Sequence, residues 1–152
     1  MLHGRTALLA AAVCALPHSV AVAKDLKAIA EFVVPAYTAM NFAMLCAQDD
    51  PWFLADARGP RGHAIKYAEH VKDEAIASLT EDEAAAVLRM AADEARSTAR
   101  AELRKVIPSR TYRYPEIANW CRGNVLHFVR SFIERHDTEH TVLLQRLEQA
   151  KQ

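Results

Sequence analysis

Nowhere does this chain alternate apolar and polar residues with the period of two that a half-buried strand requires. From about Asp25 to the end, apolar residues return every three or four positions, the spacing of helices that bury one face. Only 4 glycines and 6 prolines fall among the 152 residues, and alanine is abundant, so local propensity agrees with the period. The expected fold is all-α, a four-helix bundle-like single domain.

The breaks in the pattern mark the helices. Asp25–Gln48 is the first, with Ile29, Phe32, Val33, Tyr37, Met40, Met44 and Leu45 on a broad apolar face. Pro35 should kink it or divide it in two, because proline removes a helical hydrogen bond. Asp49-Asp50-Pro51 places an acidic cap before a proline and restarts a short turn, Pro51–Ala57. Gly59-Pro60-Arg61-Gly62 reads as a loop, after which a second helix runs from about His63 to Ser78. Thr80-Glu81-Asp82-Glu83 is a capping box opening a third, to about Ile107. Tyr114-Pro115 opens the longest, to about Ala150, weakened at Gly123.

The first 23 residues stand apart. One basic residue, Arg5, precedes ten unbroken apolar residues, Ala7–Leu16, and Ala21-Val22-Ala23 offers a small-residue cleavage site. That order reads as a secretory signal peptide, residues 1–23, with the folded domain at 24–152 and a periplasmic or secreted location. The run is too short for the ~20 residues of a membrane span, so no transmembrane anchor is expected after cleavage. Loss of Cys14 with the signal reduces three cysteines to two, Cys46 and Cys121. In an oxidising compartment an even pair reads as a disulfide. Loss of Arg5 leaves 18 basic against 19 acidic side chains, a balance unlike that of a nucleic-acid binder.

Chemistry concentrates at His136-Asp137-Thr138-Glu139-His140. This is H-x-x-E-H, an order in which two histidines one turn apart bind Zn²⁺ and the glutamate activates water. A catalytic zinc needs a third protein ligand. Only twelve residues follow His140, and Glu148 lies two turns along the same helix, too far to complete the set. No catalytic activity is therefore expected. As a binding pair the histidines are more informative. On a helical wheel His136 continues the stripe of Cys121, Val125, Phe128, Phe132, Leu143 and Leu147, with His140 at its flank, so both follow the core seam. A divalent transition metal would need a ligand from a facing helix.

Other polar clusters carry less. His63, Tyr67, His70 and Glu74 are placed on the outer face of the second helix, opposite Ala64, Ala68 and Val71. Trp52 and Phe53 are expected to plug one end of the bundle or, if exposed, to form a protein-contact patch. Arg61 in the Gly-Pro loop, with Arg110 and Arg113 at the end of a basic run from Arg96, could contact an anion. The same run also complements the helix dipole opposite the acidic start of the third helix. The leading expectation is a small exported, non-enzymatic interaction or stress protein with an unspecified protein partner and no nucleic acid. The alternative is a periplasmic metal-binding or metal-sensing protein using His136 and His140.

Overall fold

The computed structural model describes residues 23–54, 59–106 and 114–152. The signal segment to residue 22, Arg110 and Arg113 lie outside the described residues. All regular structure within them is helical: α1 Leu26–Asp49, α2 Pro51–Leu54, α3 Pro60–Ile76, α4 Glu81–Val106, α5 Tyr114–Trp120 and α6 Leu126–Ala150, with a π-helical turn, Cys121–Val125, joining α5 to α6.

The caps explain the boundaries. The Asp25 side chain accepts from the Ala28 N–H at 3.0 Å and starts α1. The Thr80 hydroxyl accepts from the Glu83 N–H at 3.3 Å, and the Glu83 carboxylate accepts from the Thr80 N–H at 2.8 Å, completing the capping box of α4. The second long helix begins at Pro60, earlier than His63. Gly59 is its extended cap and Pro60 its first residue, where the missing N–H costs nothing. Pro35 does not divide α1, which runs unbroken through it. An internal proline costs ~3 kcal/mol in an isolated helix, an amount that burial on several sides can offset.

That burial is the organising feature. α3, α4 and α6 all pack on α1, which therefore needs apolar residues around most of its circumference. Leu26–Gln48 is long and apolar enough by composition to cross a membrane, and half of that stretch is buried inside the bundle. At one end of the bundle Ile29 and Val33 meet Val87, Ala91 and Leu147. At the other, Phe42 and Cys46 meet Phe53, Ala99, Ile117 and Val125. The alanines of α4 that face α1, Ala91, Ala95 and Ala99, are all buried. Among the described residues the backbones of α4 and α6 stay more than 8 Å apart, Cα to Cα. A cleft of about 810 Å³ lies beside them, lined in part by Thr98, Glu102, Trp120 and Phe128.

Cys46 at the end of α1 is joined to Cys121 in the π-helical turn, with Cα atoms 5.6 Å apart across 75 residues of sequence. Beside it, Asp50 is fully buried and accepts two bonds from the Arg122 guanidinium, at 2.6 and 2.9 Å, and one from the Trp52 N–H at 3.0 Å. The Arg122 hydrogen bonds, foremost, hold its carboxyl below the usual carboxylate range. The π turn also shifts the register of α6. Val129, and not Phe128, continues the buried line from Cys121 and Val125, and Phe128 is 38% exposed.

Candidate metal centre

α3 and α6 lie side by side on α1, and each contributes a pair of polar side chains one turn apart to their shared seam. α6 brings His136 and His140; α3 brings His70 and Glu74. The Glu74 carboxylate is the meeting point. One oxygen, Oε2, is 3.7 Å from His136 Nε2, and the other, Oε1, is 3.4 Å from His140 Nε2. His70 Nε2 also lies 3.4 Å from Oε1. Donor atoms of Glu74, His136 and His140 all fall within 4.8 Å of one another.

The outer-face assignment of the α3 residues is therefore corrected in part. Tyr67 is buried and the Glu74 side chain is only 18% exposed, both on the α6 side, whereas His63 and His70 are exposed. The wheel explains why. Tyr67 and Glu74 sit about 70° and 90° round from the centre of the Ala64–Ala68–Val71–Ala75 stripe, which is a flank and not the opposite face. A helix with two neighbours buries that flank as well.

Burial sets the electrostatics. His136 is 4% exposed, surrounded by the Phe32, Tyr67 and His140 rings at centroid distances of 6.4, 4.9 and 4.9 Å. Desolvation lowers its pKa, outweighing the attraction of Glu74, and so favours the neutral imidazole. Burial likewise raises the Tyr67 pKa. Three buried polar atoms here, Tyr67 Oη, Glu74 Oε2 and His136 Nε2, have no hydrogen-bond partner among the described residues. Such atoms usually cost ~1–3 kcal/mol each, so a cluster of three needs an explanation.

The backbone of the site is held from the end of α6. Lys151, its side chain 5% exposed, donates through Nζ to the Glu74 carbonyl at 2.9 Å and pairs with Glu148 at 3.1 Å. The Asp25 N–H donates to the Ala150 carbonyl at 2.8 Å, tying the start of α1 to the same end.

The remaining candidate residues stand elsewhere. Glu139, the would-be water activator of H-x-x-E-H, pairs with Arg135 at 3.2 Å. Phe53 is fully buried, whereas Trp52 is 45% exposed and packs edge-on against it. The protein-contact patch thus reduces to one ring. Arg61 sits in the first turn of α3 with Nε 3.3 Å from Met44 Sδ. Within the basic run, Arg96 pairs with Asp93 and Lys105 with Glu102. Glu74 and His70 were missed as site residues in the sequence. The available signal was two i, i+4 pairs of ligand-type side chains on separate helices. No known protein family, curated protein or solved structure matches this chain.

Proposed function

We propose that this chain is an exported protein that binds a divalent transition-metal ion between α3 and α6, for buffering or sensing. The observation that carries the reading is the convergence of Glu74, His136 and His140, with Glu74 Oε2 and His136 Nε2 both buried and without a hydrogen bond, facing each other at 3.7 Å. Two imidazoles and a carboxylate suit Zn²⁺, Co²⁺, Ni²⁺ or Cu²⁺ better than the oxygen-seeking Ca²⁺ or Mg²⁺. A histidine kept neutral by burial has no proton to lose on binding. The Cys46–Cys121 disulfide supports export, since such bonds persist in oxidising compartments.

Isothermal titration of the oxidised, metal-free protein with Zn²⁺, Cu²⁺, Ni²⁺ and Co²⁺ tests the proposal. One ion per chain is expected for at least one metal, with binding weakened more than tenfold by His136→Ala or Glu74→Gln. No heat, or identical heat in both variants, ends it.

A partner-binding role is the second reading. It is supported by the half-exposed Trp52 ring beside a cleft of about 330 Å³ that Pro60, His63, Arg130 and Ile133 help line. Suppression of aggregation of an unfolded client, lost in Trp52→Ala, would favour it. Equal suppression by both proteins would remove Trp52 from the account.

A further inference from the structure

His70 stands at the edge of the candidate metal centre, and its position goes beyond that of a solvated neighbour. Its Nε2 and the Nε2 of His140 approach the same Glu74 oxygen, each at 3.4 Å. Its ring lies almost equally far from the two α6 imidazoles, with centroids 6.3 Å from His136 and 6.4 Å from His140.

Coordination geometry gives these distances a scale. With Zn–N bonds of ~2.0–2.1 Å, tetrahedral imidazoles on one ion have ring centroids roughly 5 Å apart. His136 and His140, at 4.9 Å, already meet that spacing. His70 is outside it by about 1 Å on both sides. Its side chain is 61% exposed, so a small rotamer adjustment moves the ring inward without opening the core. His70 and Glu74 share one face of α3 a turn apart, as His136 and His140 do on α6. Of the two pairs, three donors lie within 4.8 Å of one another, and the fourth, His70 Nε2, lies 3.4 Å from the Glu74 oxygen that His140 also approaches.

We infer that His70 swings in as the fourth ligand, closing a three-histidine, one-carboxylate sphere around the ion; this rests on the metal-binding reading above. The closure defines what the site does with its metal. A sphere of four protein ligands retains an ion, whereas three ligands and a water leave the open position that hydrolysis needs. With His70 in place the site binds Zn²⁺ or Co²⁺ as cargo or signal, and the H-x-x-E-H order is incidental to it.

Co²⁺ serves as the probe, because its visible absorption is intense in four-coordinate tetrahedral sites and weak in five- or six-coordinate ones. The oxidised full-length protein would be titrated with Co²⁺ alone and then with Zn²⁺, alongside His70→Ala, His63→Ala and His136→Ala. The expected result is a strong visible band in the wild type and in His63→Ala. In His70→Ala the band should fall several-fold and binding should weaken at least tenfold. Wild-type affinity and band intensity in His70→Ala would overturn the fourth-ligand assignment and leave the three-residue site standing. Failure of the wild type to bind either ion would instead remove the metal-binding reading itself.

Discussion

The two ends of the α1–α6 pairing satisfy buried polar groups in opposite ways. Where α1 ends, a covalent bond closes Cys46 on Cys121, and buried Asp50 takes three hydrogen bonds from Arg122 and Trp52. Toward the start of α1, the α3–α6 seam holds a carboxylate, two imidazoles and a phenol, with three of their atoms making no hydrogen bond. The first region is complete as folded and should respond to mutation as structure does. On the proposed metal-binding reading a cation completes the second, so its stability should depend on what is dissolved around it.

The largest expected effect breaks the complete end. Reducing the disulfide, or Cys46→Ser with Cys121→Ser, should cost about 4 kcal/mol on the chain-entropy account, read as a lower denaturant midpoint. The other end should give the next. Zn²⁺ at 100 times its Kd should raise unfolding free energy by about 2.7 kcal/mol, and Glu74→Gln should erase that gain. If the double serine variant keeps the Zn²⁺ increment, the two regions are independent; loss of the increment would show that the staple also sets the seam.

A smaller effect is expected at Asp50. Asp50→Ala removes an ion pair whose arginine is 59% exposed, so about 2 kcal/mol is expected, well short of a fully buried pair. The metal increment should be untouched. The smallest effect distinguishes the regions most directly. His136→Phe removes a buried nitrogen that makes no hydrogen bond, so the metal-free protein should change by less than about 1 kcal/mol or become slightly more stable. A loss of more than about 2 kcal/mol would reveal a partner that the seam already has.

Acid sharpens the same contrast. The folded pKa of His136 lies below that of the unfolded chain, so acidification loads the unfolded state with protons first. The penalty for keeping His136 unprotonated in the fold is absent above the ordinary histidine value of about 6.5 and is reached in full as pH falls through its lowered value. Asp50 has the same sign at lower pH: its contribution is present above the ordinary carboxylate range and disappears as pH falls through its depressed value. A metal-free pH series should therefore show two separate declines, the upper one absent in His136→Phe.

Much of the fold was legible because its signals are local. The capping box at Thr80 and Glu83, the 3.6-residue period and the even cysteine pair each act within one helix or by simple count. His136 was legible as a core-seam residue for the same reason. Glu74 was not, since its partners lie on another helix and a wheel drawn for one neighbour assigns a flank to solvent. Division at Pro35, one of the two outcomes expected there, did not follow, because local cost was weighed without the three helices packed around α1. The register shift after Cys121 was equally hidden, since no residue type demands a π turn and Gly123 pointed only to weakness.

That turn sets the phase between two unrelated jobs on one helical path. Cys121 answers to α1, while His136 and His140, fifteen and nineteen residues later, answer to α3. Deleting the exposed Gly123, beside which a side chain would meet nothing within 4 Å, would let the path close up as ordinary α-helix. Because the π turn already absorbs one extra residue, everything downstream would keep nearly its present phase, with Val129 taking the place that an α-helical wheel gives to residue 128. Every helix would remain a helix, and both histidines would stay at the seam. The same deletion inside α6, between Val129 and His136, has no extra residue to remove and would turn both histidines by about 100°, so the spacing from Val129 to the histidines, and not Gly123 itself, is what holds them against α3.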